Sequence, residues 1–211
     1  MDDIRLIKRN KIVFPVELKD SQLQSCKVFA SRRSAMHLIP KGSRFLEVGV
    51  AAGDYSYEFS VLNNPSSVTL LDRFTENDYM VGVSKGERFT RETHVDFIKD
   101  RFKDFNTTVI QGMTQDVLPN LTGPYDYIYL DADSTAVGFG LELRNAVRLC
   151  SENGIIGIND YAMVDYVHNV PFAVVHEVNK FMEENPEWHM IGFAIENTMF
   201  CDVYIQKMNM V

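Results

Sequence analysis

Asp131, Asp133, Asn159 and Asp160 are the residues of this sequence whose types and spacing most suit chemistry. They stand in two short segments, Leu130-Asp131-Ala132-Asp133 and Ile158-Asn159-Asp160-Tyr161, each directly after an apolar run. Three carboxylates and an amide grouped in this way suit a hard cation such as Mg²⁺. Without a cation the same carboxylates repel one another, which raises a pKa and makes a general base. They can equally serve as loop caps.

A further segment, Glu47-Val48-Gly49-Val50-Ala51-Ala52-Gly53-Asp54, puts two glycines and two alanines where a backbone can approach a ligand at a helix start. The dinucleotide pattern GxGxxG is not met. Ala51 and Asp54 hold its second and third glycine positions, and a carboxylate there would oppose a pyrophosphate. An adenosyl sulfonium, cationic and free of phosphate, suits the acidic flanks Glu47 and Asp54. Asp72 ends the run Leu70-Leu71 and can accept hydrogen bonds from two ribose hydroxyls. Gly112-Met113-Thr114 offers a glycine turn, a backbone amide and an apolar side chain to an adenine. His168, in a loop after the fifth strand, is a reserve general base. Tyr55, Tyr57, Phe74, Tyr79 and Tyr161 are candidates to wall a substrate pocket, Tyr55 foremost.

Alternating elements must position these residues. Short β-branched and apolar runs separated by amphipathic stretches predict an α/β domain with a mainly parallel sheet. Strands are expected at 44–50, 68–72, 107–111, 125–131 and 154–159. Helices are expected at 21–39, capped by Ser21, and at 54–62, 137–150 and 171–184, with Pro171 at the first position of the last. Another helix restarts at Thr90, where Val95, Ile98, Phe102 and Phe105 form one apolar stripe. The polar stretch 73–88 reads as a functional loop. Runs 188–195 and 198–206, joined at Glu196-Asn197, predict a hairpin with one antiparallel strand and one core-facing side of the second strand. The division is then a helical extension over 1–43 and one domain over 44–211.

The chain has 211 residues, enough for a single core, and its 45% hydrophobic content excludes disorder as the main state. No window approaches a membrane span and the start lacks a signal-peptide pattern, so a soluble, cytoplasmic protein is expected. Cys26, Cys150 and Cys201 form no CxxC pair and are expected as reduced, buried thiols. Residues 1–44 hold ten Lys/Arg against four Asp/Glu, whereas the remainder is acidic within a net charge of -8. That balance argues against a nucleic-acid binder, while the basic end is either a solvated helix face or a hold for an anionic substrate.

Taken together, FLEVGVAAGDYS, the LLD strand end, GMTQDVLPNL, YDYIYLDAD and GIIGINDY resemble, in order, the class I S-adenosylmethionine-dependent methyltransferases. The likeness is to the small-molecule O-methyltransferases of catechol, macrocin and cephalosporin-hydroxylase type. It implies a doubly wound, Rossmann-like fold with a mainly parallel seven-stranded sheet and a C-terminal antiparallel hairpin. It further implies Glu47, Gly49, Ala51 and Gly53 around the methionine part of the cofactor, Asp72 on its ribose, Met113 and Thr114 on its adenine, and Asp131 beside it. Asp131, Asn159 and Asp160 match metal-ligand positions, and Asp133 a proposed base. Where the related pattern runs Asp-Gly-Asp-His, this chain has Asp131-Ala132-Asp133-Ser134. The expectation is methyl transfer to a small-molecule hydroxyl, assisted by Mg²⁺ or a similar cation, with no nucleic-acid or membrane partner and homo-oligomerisation open. The rivals are a metal-free enzyme using Asp133 or His168, and a nonenzymatic partner protein that retains the fold.

Overall fold

The computed structural model describes residues 14–76 and 89–208. Five parallel strands form the centre: β2 (Arg44–Val48), β3 (Ser67–Asp72), β4 (Thr107–Gln111), β5 (Tyr125–Leu130) and β6 (Cys150–Ile158). They are flanked by β1 (Lys27–Phe29), β9 (Trp188–Ala194) and β10 (Asp202–Lys207), in the order β1-β9-β10-β6-β5-β2-β3-β4. Only β10 runs against its neighbours, as the hairpin pattern predicts. A two-residue pair, β7 (Val164–Asp165) and β8 (Val170–Pro171), stands apart from this sheet.

The sheet has eight strands rather than seven. The extra one, β1, comes from the segment expected as a helix over 21–39. That segment instead makes a 3-10 turn at Asp20–Gln22, the edge strand β1 parallel to β9, the short helix α1 (Arg32–Ala35) capped by the Ser31 hydroxyl, and a second 3-10 turn at Met36–Leu38. Lys27-Val28-Phe29 contains two good strand formers beside an open sheet edge, and pairing there outweighs a weak helical pattern. The expected helical extension over 1–43 is thus in part a strand of the main sheet.

The remaining helices are α2 (Asp54–Asn63), α3 (His94–Arg101), α4 (Thr114–Val117), α5 (Ala136–Leu149) and α6 (Val174–Glu184). On one face of the sheet α5 and α6 bury Phe139, Leu143, Val174 and Val178 against Leu46, Ile128 and Ile156. On the other, α2 and α3 bury Phe59, Ile98 and Phe102 against Phe45, Leu70 and Tyr127. Each such fully buried side chain stabilises the fold by about 1.5–3 kcal/mol before entropy is counted. Helix α6 begins three residues after Pro171, which pairs in β8 instead. Residue 199 precedes the final strand, and Asp202 and Tyr204 are as buried as Val203 and Ile205, because β10 lies inside the sheet with both faces covered. Cys201 is buried, Cys26 and Cys150 are half-buried, and all three thiols are free. Among the described residues no helix is long and apolar enough to cross a membrane.

At the amino ends of the central strands, Arg44 grips Asp126. Its Nε donates to Oδ2 at 2.9 Å, Nη2 to Oδ1 at 2.8 Å and the backbone N–H to Oδ2 at 3.0 Å, while Ser151 donates to Oδ1 at 2.9 Å. These bonds fix the ends of β2, β5 and β6 and hold the Asp126 carboxyl below the usual range, chiefly through the Arg44 side chain. A depressed carboxyl contributes stability above its unfolded pKa and loses it as pH falls toward the folded value. Asp126→Asn should therefore lower unfolding free energy by about 1–2 kcal/mol near neutrality, allowing for solvent screening. Denaturant titrations should show that difference shrinking as pH falls below about 4.

Candidate functional site

Strand β2 opens the parallel order, β3 and β4 step outward from it, and β5 returns to its other side. The carboxyl ends of β2 and β5 therefore diverge at the point where open α/β sheets bind ligands. Gly49 stands at that divergence with φ +87, and a Cβ there would collide with the Asp131 carbonyl and the Ala132 nitrogen. Its N–H donates to Leu71 O at 2.9 Å, and Asp131 N–H to Val48 O at 2.8 Å, so the two chains part only after these bonds.

A cavity of about 340 Å³ opens there, lined by Gly49, Ala51, Asp72, Met113, Thr114 and Asp131 together with Arg73, Glu76, Gln115, Ala132, Asp133 and Glu142. Asp72 anchors its rim: Oδ2 accepts the N–H groups of Val50 at 2.7 Å and Ala51 at 3.0 Å, and Oδ1 that of Phe74 at 2.9 Å. Ala51 holds a left-handed conformation, φ 47, on this anchor. His94, fully buried, binds Ala51 O through Nε2 at 2.7 Å and meets Glu76 N–H with Nδ1.

Two expected cofactor contacts lie elsewhere. The alternation of β2 puts Glu47 on the Phe45 side, toward Ser56 of α2, where it is 1% exposed and burial drives its pKa well up. Gly53, φ +76, faces Phe102 and Ile98 of α3, so its missing side chain seats a helix rather than making room in the cavity. The expected aromatic wall is also absent from the described residues lining the cavity. Tyr55 stacks on Tyr129 at 3.7 Å in the core, Tyr57 packs against Phe102 and Phe105, Phe74 lies buried beside His94, and Tyr161 turns to Asn179. Tyr79 lies outside the described residues, as does most of the loop 73–88.

A second cavity, about 180 Å³, is lined by Asp131, Asp133, Ser134, Asn159 and Asp160 with Leu130, Ala132, Phe139 and Val174. It shares the Asp131–Asp133 wall with the first. The four oxygen-bearing residues singled out in the sequence do converge here, and three of them, Asp131, Asp133 and Asn159, are already hydrogen-bonded. Asn159 Nδ2 donates to Asp131 Oδ1 at 2.5 Å, and Asn159 Oδ1 accepts from Arg32 Nη2 at 2.9 Å. Asp133 Oδ1 accepts the Thr135 N–H at 2.7 Å, and its carboxylate lies where a side chain on Gly138 would be, in the first turn of α5. Among the described residues no group of three or more His, Cys, Asp or Glu is arranged to hold a metal ion. As arranged, Asp131, Asn159 and Asp160 do not fit a divalent cation, because the Asn159 amide oxygen is held by the Arg32 guanidinium and Asp131 Oδ1 by the Asn159 amide hydrogen.

Asp131 opens onto both cavities and is solvent-accessible. Desolvation by the protein around its carboxyl pushes it up to about 8, Asp160 adds repulsion, and Arg32 opposes both. His168 lines neither cavity: it is 75% exposed on the turn between β7 and β8, with Nδ1 paired to Asp165 Oδ2 at 2.6 Å. Arg32, Asp202, His94 and Glu142 were not singled out in the sequence. Of these only Arg32 had a signal, a Ser31 cap in the basic end. Glu142, on the inner face of α5, is fully buried in the first cavity's wall, and burial raises its pKa to about 7.

No protein-family model and no curated protein matches this chain. Solved structures match it in fold. The O-methyltransferase TomG from Streptomyces achromogenes, involved in tomaymycin synthesis and solved with SAM, superposes with a TM-score of 0.58 at 15% identity, covering 99% of this chain and 96% of that one. An O-methyltransferase from Bacillus cereus in complex with SAH gives 0.55 at 15% identity over 98% and 90%. A putative rRNA methylase from Clostridium thermocellum gives 0.58 at 14% identity over 93% and 100%. The fold is that of class I S-adenosylmethionine-dependent methyltransferases, and it is shared by proteins named for different acceptors, so the fold alone selects none.

Asp72→Ala removes the acceptor of three backbone N–H groups at the cavity rim. Charge-assisted bonds of this kind contribute about 1.5–3 kcal/mol each before compensation. Calorimetric affinity for S-adenosylhomocysteine should fall at least about tenfold in a variant whose far-UV dichroism stays native; an unchanged affinity would remove Asp72 from the site.

Proposed function

We propose that this protein transfers a methyl group from S-adenosylmethionine to a hydroxyl of a small molecule. The observation that carries the reading is the pair of cavities sharing one wall at Asp131–Asp133, with Asp131 open to both. The larger cavity is the cofactor side in this reading: the missing Cβ of Gly49 lets the Asp131–Ala132 peptide close against the end of β2 at the cavity wall, Asp72 would face the ribose hydroxyls, and Met113 and Thr114 the adenine. When bound, the cofactor supplies a sulfonium-activated methyl group.

The smaller cavity is the acceptor side. Its acidic lining favours hydroxyl donors and repels the phosphates of a nucleic acid, which supports a small-molecule partner. A hydroxyl there must lose its proton as it attacks. Asp133 is turned into the helix start and His168 stands outside both cavities, so the base in this reading is Asp131, whose Oδ1 is held by Asn159. The remaining contribution of the chain is proximity, since both partners lie against one rigid strand end.

Asp131→Asn keeps the shape and the Asn159 contact but removes the base. With an acceptor found by screening hydroxylated metabolites, turnover should drop by about a hundredfold or more while S-adenosylhomocysteine affinity is retained. Wild-type turnover should rise with pH through about 8, because the base works only when deprotonated and its pKa is raised to about that value. A pH-independent rate, or an Asp131→Asn variant as active as wild type, would move the base elsewhere. Failure to bind either adenosyl ligand would overturn the reading as a whole.

A further inference from the structure

One positive charge reaches into the most acidic part of the protein from outside the expected domain. Arg32 opens α1 behind the Ser31 cap, and its backbone N–H donates to a Glu196 carboxylate oxygen. The guanidinium then extends to the carboxyl ends of the strands. Nη2 donates to Asn159 Oδ1 at 2.9 Å and lies 3.4 Å from Asp202 Oδ1, while Nε lies 3.7 Å from Glu196 Oε1. Asp202 is fully buried; its other oxygen accepts the Tyr129 hydroxyl at 2.7 Å, and Oδ1 has no hydrogen bond, so the guanidinium is its only nearby cation among the described residues. From Asn159 the chain continues through Nδ2 to Asp131 Oδ1. An amide can donate to a carboxylate only if its own oxygen points away, and here that oxygen is held on Arg32.

These contacts account for the misfit of a divalent ion described above. A guanidinium is permanently charged and offers a planar fork of donors, so it can neutralise several oxygens at once without vacant coordination positions. We propose that Arg32 is a built-in cation that takes the place of a divalent metal at these strand ends and, through Asn159, acts as a positioning residue for Asp131. The sequence segment that carries it is tied to the sheet twice, by β1 pairing with β9 and by the Glu196 contact, so the charge is delivered by the fold itself.

The catalytic arm of this inference rests on the methyl-transfer reading; the cation arm does not. The test compares full-length wild type, Arg32→Lys and Arg32→Ala by Mn²⁺ electron paramagnetic resonance, alongside S-adenosylhomocysteine calorimetry. Wild type and Arg32→Lys should take up no Mn²⁺ at millimolar concentration. Arg32→Ala should gain saturable binding of one Mn²⁺ per chain, abolished by adding Asp131→Asn and competed away by guanidinium chloride. Its turnover should fall at least tenfold and recover with added guanidinium, a response that loss of a merely structural contact would not produce. Mn²⁺ uptake by wild type or by Arg32→Lys, or a folded Arg32→Ala that gains no Mn²⁺ site, would overturn the proposal. If Arg32→Ala does not fold, Arg32→Ala combined with Asp202→Asn removes the buried charge left unpaired, and the same Mn²⁺ criterion applies to it. Absence of adenosyl-ligand binding in wild type would overturn the methyl-transfer reading while leaving the Mn²⁺ result to be judged by itself.

Discussion

The approach of Gly49 to the Asp131–Ala132 peptide is the constraint on which the rest of the site depends. With no side chain between them, two neighbouring strands stay paired to their last residues and then separate abruptly. A methyl group at Gly49 would force the chains apart one residue earlier and disturb both cavities at their common wall. Around that point the loop 49–53 needs support, because it combines positive φ at Gly49, Ala51 and Gly53. Asp72 supplies it by accepting two loop N–H groups, His94 by gripping Ala51 O, and Arg101 by donating to Ala52 O at 2.8 Å. The cavity rim is thus fixed by polar bonds from β3 and from both ends of α3 rather than by apolar packing.

Charge balance follows the same geometry. Parallel β5 and β6 bring Asp131 and Asn159 to one end of the sheet, and the reversed β10 starts there with Asp202, although the three lie far apart in sequence. Asp202 is fully buried, and a buried carboxylate beside other acids is costly unless paired. Arg32 opposes the raised pKa of both Asp131 and Asp202, and Tyr129 together with Asp202, Asp131 and Glu196 holds its own pKa above the ordinary value against the lowering effect of burial. The buried hydroxyl of Tyr129 completes the arrangement by donating to Asp202.

The sequence by itself determined the central part of this protein. Five parallel strands, their crossover helices and the reversed last strand are legible because each is a short apolar run or an amphipathic period of local origin. The cavity residues Gly49, Ala51, Asp72, Met113, Thr114 and Asp131 are legible for a related reason: in a parallel sheet, ligand-facing positions are those that end strands, and strand ends are marked by glycine and acidic residues. Tertiary structure decided what local patterns do not encode. It turned Glu47 into the core and Gly53 onto α3, because alternation and helix seating depend on what lies opposite. It made a strand of Lys27–Phe29, because an open edge of β9 was available. It turned Asp133 into a helix start and carried Arg32 across more than a hundred residues of sequence to Asn159, a contact made by the strand order alone. Spacing shows which side chains can meet at strand ends; only the folded chain shows which of them are already bonded to one another.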